Sequence, residues 1–205
     1  MRTDWNAKAF LPPANTLPKL RSAASDCKGC PLWRNATQTV FGSGKQSAEF
    51  LFVGEQPGDK EDIAGKPFVG PAGRILDQAL RLAGIQREAV YITNAIKHFK
   101  WAPKGKRRIH QKPSAREILA CRPWLQAEIQ AVKPRAIVCL GATAAQAVLG
   151  RPTKILENRG KAFSSDVCQR VFVTMRPSAL LRIPEPDQRA HAMEQFVADL
   201  ANVLG

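Results

Sequence analysis

The sequence predicts a three-layer α/β/α domain built on a mostly parallel sheet of four strands, and three observations carry that prediction. Residues 49–53 (EFLFV), 89–93 (AVYIT), 135–140 (RAIVCL) and 171–174 (VFVT) are short apolar runs of strand length, and each reads as a buried strand. Stretches with helical spacing lie between them. Strands that alternate with helices need right-handed crossovers, and these cover both faces of a parallel sheet. The third observation is a length of 205 residues, enough for one domain with a sizeable core.

The elements follow in order. Residues 1–20 are Pro-rich and polar and are expected to form an irregular leader, ahead of a single domain over residues 21–205. The first strand ends at Gly54. Residues 71–84 carry Ile75, Leu76, Ala79, Leu80 and Ala83 at helical spacing between a Pro start and a Gly stop. Residues 97–112 are expected to be an inserted basic loop. Ser114 with Glu117 makes a capping box that opens a helix, and Pro123 should kink that helix or begin a second one. Gly141 stops the third strand ahead of a helix reading ATAAQAVL. A last amphipathic helix covers about residues 186–203. No internal repeat or linker interrupts the chain.

Composition bounds the function. Lys and Arg number 31 against 17 Asp and Glu, a formal net charge of +14. That excess favours a polyanionic partner, because each neutralised phosphate releases counterions. No apolar run approaches the roughly 20 residues that span a bilayer, and the first residues lack the apolar core of a signal peptide. The expectation is a soluble, cytoplasmic monomer with no membrane contact.

Five cysteines, an odd count without a secretion signal, argue against a disulfide framework. Cys27 and Cys30 form a C-x2-C pair, and 17 residues separate Cys121 from Cys139. Four thiolates suffice for a tetrahedral zinc or a [4Fe–4S] cluster, and spacing does not choose between them. A small apolar core role competes for Cys121 and Cys139, most strongly for Cys139 inside a strand. Cys168 stands outside the pattern.

Ligands of parallel sheets bind beyond the carboxyl ends of the strands. Residues 54–59, Asn94 and residues 175–178 follow strands there and should share one crevice. Neither G-x-x-x-x-G-K-[ST] nor G-x-G-x-x-G is present, so a phosphate loop is disfavoured. A carboxylate from Glu55 or Asp59 suits water activation or a cationic transition state; the competing reading of Asp59 and Glu61 is a solvated loop charge, favoured for Glu61. Phe68 suits stacking on a base as well as it suits a core, and the Asn94 amide suits a base edge as well as a turn. The basic loop reads KHFKWAPKGKRRIHQK, with seven cations, two His, Phe99, Trp101 and no acid. That mixture fits single-stranded DNA, against a competing reading as a solvated loop.

Residues 54–80, GEQPGDKEDIAGKPFVGPAGRILDQAL, closely resemble the first signature of the family 4 iron–sulfur uracil-DNA glycosylases, and the four cysteines match that family's spacing. The resemblance runs from about residue 26 to the end. It implies the uracil-DNA glycosylase fold, with a four-stranded parallel sheet, and a structural [4Fe–4S] cluster on Cys27, Cys30, Cys121 and Cys139. It implies that Glu55, Gln56 and Pro57 contact a flipped uracil, that Phe68 stacks on it and that Asn94 reads its edge. Residues 106–110 (KRRIH) and Gln56 are similar to the UdgX type, which implies His110 as a nucleophile that joins the protein to the abasic sugar, beside Glu55 or Asp59. Lys106, Arg107, Arg108, Ser178 and Arg182 are the implied DNA contacts. The last signature departs from the pattern, since Arg176 replaces the family's histidine. The substrate implied is uracil-containing DNA, single-stranded favoured. The alternatives are a multiple-turnover glycosylase and a uracil-DNA-binding protein whose catalysis Arg176 impairs.

Overall fold

The computed structural model describes residues 5–205. The chain runs through α1 (Leu17–Ala24), β1 (Phe50–Gly54), α2 (Asp59–Ala64), α3 (Pro71–Leu82) and β2 (Val90–Asn94). It continues through β3 (Trp101–Lys104), β4 (Arg107–His110), α4 (Ala115–Val132), β5 (Ala136–Leu140) and α5 (Ala142–Leu149). It closes with α6 (Ile155–Asn158), β6 (Ala162–Ser165), β7 (Cys168–Thr174), α7 (Pro177–Leu180) and α8 (Pro186–Ala201).

The main sheet has the order β2-β1-β5-β7-β6, with every pair parallel except β6 with β7. β1, β2 and β5 are buried along their whole length, as expected of strands covered on both faces. Their side chains part by the period of two. Leu51, Val53, Tyr91, Ile137, Cys139, Val171 and Val173 join the core under α1, α4 and α5. Phe50, Phe52, Val90, Ile92, Val138 and Phe172 join the core under α3 and α8. The register pairs Gly54 with Asn94 and Leu140 with Thr174, so the strand ends that carry the site finish at one edge.

The sheet has five strands, not four. β6 is a polar edge strand, Ala-Phe-Ser-Ser, with only partial burial and a register shift against β7. An edge strand needs no apolar run, and the irregular pairing blunts it against foreign strands. The expected basic loop is a hairpin. β3 and β4 pair from Trp101 with His110 to Lys104 with Arg107, around a two-residue turn of Gly105 and Lys106. Of the expected leader, residues 1–4 lie outside the described residues, residues 11–16 are irregular, and the segments 7–10 and 17–20 are helical. Ala7–Phe10 form a 3-10 helix capped by Asn6, whose side chain accepts the Lys8 N–H at 2.8 Å. Leu17 and Leu20 of α1 are buried in the core. Pro18 sits in the first turn, where no hydrogen bond needs its missing N–H.

α4 opens on the expected Ser114–Glu117 capping box and runs unbroken through Pro123. The acceptor that Pro123 leaves unused belongs to Leu119, whose side chain is 65% exposed. Among the described residues no helix is long and apolar enough to cross a membrane.

Candidate active site

One cavity of about 200 Å³ opens at the strand ends, lined by Glu55, Gln56, Phe68, Asn94, His110 and Arg176 among others. Residues expected from all three strand ends therefore meet, together with Ser178 and Arg182. Pro57 and Asp59 do not line it. Its floor depends on Gly54: a Cβ there would stand 2.3 Å from Asn94 Oδ1 and 2.7 Å from Phe68 Cζ. Only a glycine lets these two side chains close over the end of β1. Phe68 is half-buried and holds φ at 56°, a strained value for a non-glycine residue and one often found at ligand sites.

Glu55 is nearly buried and its two oxygens differ. Oε2 accepts the Thr143 hydroxyl at 2.5 Å and lies 3.5 Å from Arg176 Nη1. Oε1 is buried without a hydrogen-bond partner, although His110 Nε2 lies 3.3 Å away. The two atoms are close, yet no hydrogen bond joins them. A carboxylate with a spare, desolvated oxygen is suited to a developing positive charge. Arg176 packs over Gly141, where a Cβ would meet its Cγ at 2.3 Å.

His110 is half-exposed at the cavity mouth. Burial holds its imidazole below the ordinary histidine range; Glu55 pulls it back up, and Arg176 and Arg182 push it down. The neutral ring with a free lone pair is thereby favoured near pH 7.

Two clamps hold the hairpin that carries His110. Gln56 does not offer its amide to the cavity: Nε2 donates to the carbonyls of Lys100 (3.2 Å) and Gln111 (3.0 Å), and Oε1 accepts the Lys100 N–H at 3.2 Å. These groups flank β3 and β4, so one side chain staples both ends of the hairpin. Arg108, expected on DNA, instead donates to Asp59 and Asp62 at 2.6 Å each and to Thr37 at 3.0 Å. Asp59 is thus neutralised away from the cavity. Glu61 is no solvated charge either. It is 9% exposed and accepts the N–H groups of Gly70 (2.7 Å) and Gly58 (3.1 Å), fixing the loop before α3.

Sequence reasoning missed a buried ion pair beneath Asn94. Lys97, counted with the basic loop, is fully buried and donates to Thr93 Oγ1 and to the Asn94 carbonyl at 2.7 Å each, and to Glu128. Glu128 also accepts from Tyr91, Thr93 and the Gly42 N–H. His98 is buried too. Thr39 spends its hydroxyl proton on the Ala24 carbonyl, so His98 Nε2 is the donor in their 2.9 Å contact. Burial pushes His98 down to about 4. The signal available in the sequence was Glu128 among the apolar residues of α4.

Cys27, Cys30, Cys121 and Cys139 are free, buried and in one core, whereas Cys168 is half-exposed. Trp124 Nε1 donates to Cys27 Sγ at 3.2 Å. Burial pushes Cys30 up to about 11 and Cys121 up to about 12, with neighbouring thiols adding to both, and burial raises Cys139 as well. Such thiols give up their protons to a metal rather than to water. Among the described residues no three His, Cys, Asp or Glu side chains gather around a single metal-ion position. Cys27 is near enough to help raise Cys30, and Cys27 and Cys30 to help raise Cys121, whereas burial alone raises Cys139.

Known proteins supply the remaining observation. Residues 41–201 match the model of the uracil DNA glycosylase superfamily. The chain is 39% identical over 171 residues to a type-4 uracil-DNA glycosylase of Thermotoga maritima, covering 83% of this chain and 85% of that protein. It is 35% identical over 196 residues to a type-4 uracil-DNA glycosylase of Pyrobaculum aerophilum, covering 92% and 93%. A type-5 uracil-DNA glycosylase of the same organism is 32% identical over 186 residues, covering 80% of this chain and 77% of that protein. With most of its length matched in this way, including every strand of the main sheet that frames the cavity, the chain belongs to the uracil-DNA glycosylase superfamily.

Proposed function

We propose that this protein excises uracil from DNA, single-stranded DNA favoured, and is then captured on the abasic sugar through His110. The placement of His110 Nε2 3.3 Å from the spare oxygen of Glu55, at the mouth of the cavity, carries the reading. A pyrimidine flipped from the strand fits between the Phe68 ring and the Asn94 amide. The bond between C1′ and N1 breaks, and its electron pair leaves with uracil. The Arg176 guanidinium faces the departing anion. Glu55 faces the oxocarbenium-like sugar. The lone pair of His110 Nε2 then bonds C1′, in the place water would take in a turnover enzyme. The alkylated imidazolium stays beside Glu55 until its remaining ring proton passes to solvent, and uracil takes a proton from water.

Gln56 acts in this reading through the hairpin rather than on the base. The cysteines Cys27, Cys30, Cys121 and Cys139 would hold a [4Fe–4S] cluster whose contribution is a fixed link between the segment after α1, α4 and β5. The fit rests on four free, buried thiols sharing one core. Charge on the described surface and the aromatic hairpin support a single strand over a duplex.

A uracil-containing oligonucleotide run on a denaturing gel tests the reading. The native protein should give a retarded covalent band, and His110→Ser should give alkali-labile product with no retarded band. Turnover without any retarded band in the native protein would establish the multiple-turnover alternative. Binding without either product would establish the non-catalytic one.

A further inference from the structure

The loop that carries the first two cysteines presents a feature that the site above does not use. After Cys30, Pro31–Arg34 form a 3-10 helix that buries Leu32 and leaves Trp33 partly exposed. Trp33 is half-buried yet packs against neither hydrophobic core. Its ring is flanked by Lys28 Nζ at 5.1 Å and by the Arg34 guanidinium at 5.9 Å from the centroid. Both cations are exposed, and among the described residues no carboxylate pairs with either. A partly exposed tryptophan between two unneutralised cations contributes nothing to the core and leaves charge uncompensated.

The position of this cluster gives it a role. The Asn35 carbonyl accepts the Trp101 indole N–H at 2.8 Å, and Trp101 is the register partner of His110. Arg108 lies 5.6 Å from the Trp101 ring and reaches back to Thr37 on the same loop. The loop that carries Trp33 is thereby tied to the hairpin that carries Trp101 and His110. Arg108 is paired with its aspartates, whereas Lys28 and Arg34 have no carboxylate partner among the described residues. That pattern suits an unpaired strand, whose bases stack on rings while its phosphates meet cations; a duplex hides its base faces.

We infer that Lys28, Trp33 and Arg34 form a subsite for the single-stranded DNA flanking the flipped nucleotide, with Trp33 stacking on a base. The inference rests on the proposed action on DNA and extends it to a surface outside the cavity. The subsite makes affinity depend on strand length, while the cavity makes reaction depend on uracil.

Fluorescence anisotropy with oligodeoxythymidines of five and twenty residues tests it without any base excision. Trp33→Ala should weaken binding of the 20-mer by about tenfold, in line with the loss of one stacked base, and leave the 5-mer nearly unchanged. Lys28→Glu with Arg34→Glu should weaken the 20-mer further and flatten its salt dependence. Trp33→Phe should restore most of the affinity. Thermal melting checks that each variant is folded, and the charge-reversal pair, being on the surface, keeps the test open should Trp33→Ala unfold. Unchanged 20-mer binding in both variants would overturn the subsite. So would an equal loss on duplex DNA, or tighter binding of an oligouridine RNA through the same residues. Excision and crosslinking of a uracil-containing 5-mer by the native protein are followed in parallel. If the native protein shows neither reaction while the 20-mer result stands, the proposed function fails and the subsite survives.

Discussion

His110 and Arg176 share one carboxylate, and the proposed capture gives them different halves of the reaction. In the proposed capture the imidazole must be neutral to attack, so crosslinking should be lost as pH falls through its folded value, which burial together with Arg176 and Arg182 holds below the ordinary histidine range. Crosslinking should therefore persist between pH 7.5 and 6.5 and fall only in more acidic buffer, while excision by the His110→Ser protein lacks that limb. Arg176→Ala removes one of the cations that push His110 down, so the acid limb of crosslinking should move to higher pH. Initial rates of band formation across pH 5 to 8 check both statements, and an unmoved limb in Arg176→Ala would show that the two side chains are not coupled.

At the scale of the element, the hairpin of β3 and β4 is a short, outward structure aimed at the cavity by other parts of the chain. Gln56 spends both ends of its amide on the two hairpin margins, and Arg108 fastens the second strand to Asp59 and Asp62. Gln56→Ala leaves His110 and Glu55 chemically intact and loosens their relative position. A misplacement of about 1 Å costs on the order of a hundredfold in rate, so crosslinking should slow by roughly ten- to a hundredfold, with excision much less affected. Single-turnover gels that resolve the two products check the split; equal slowing of both would assign Gln56 to the base instead. The hairpin was not legible in the sequence because its strands, Trp-Ala-Pro-Lys and Arg-Arg-Ile-His, lack clean alternation and one carries a proline. Pro103 is tolerated because the hairpin has no third strand to receive its missing N–H. Lys97 was hidden for another reason. Its charge reads as solvated until Glu128 of α4, 31 positions later, is folded against it. By contrast Gly54, Glu55, Asn94 and Arg176 could be placed together from sequence, because parallel strands bring the residues after them to one edge.

For the whole molecule, the count of 31 Lys and Arg overstates the cations that DNA can meet. Lys97 is consumed by Glu128, Lys100 by Glu117 and Arg108 by two aspartates. Exposed cations on the Trp33 loop, the hairpin and the cavity lining include Lys28, Arg34, Lys104, Lys106, Arg107 and Arg182. If each of these six meets one phosphate of a single strand, log Kobs against log salt should fall with a slope of about −4, since each contact contributes roughly −0.7. Uniform attraction by the entire net charge would give a slope near −10 by the same rule. Anisotropy titrations of the oligodeoxythymidine 20-mer between 50 and 300 mM salt, in a fixed buffer, distinguish the two. Lys106→Ala with Arg107→Ala should flatten the slope by about 1.4 without altering the His98, Lys97 or cysteine interiors. A slope that stays the same in this variant would remove the hairpin tip from the DNA path and leave the strand to the Trp33 side alone.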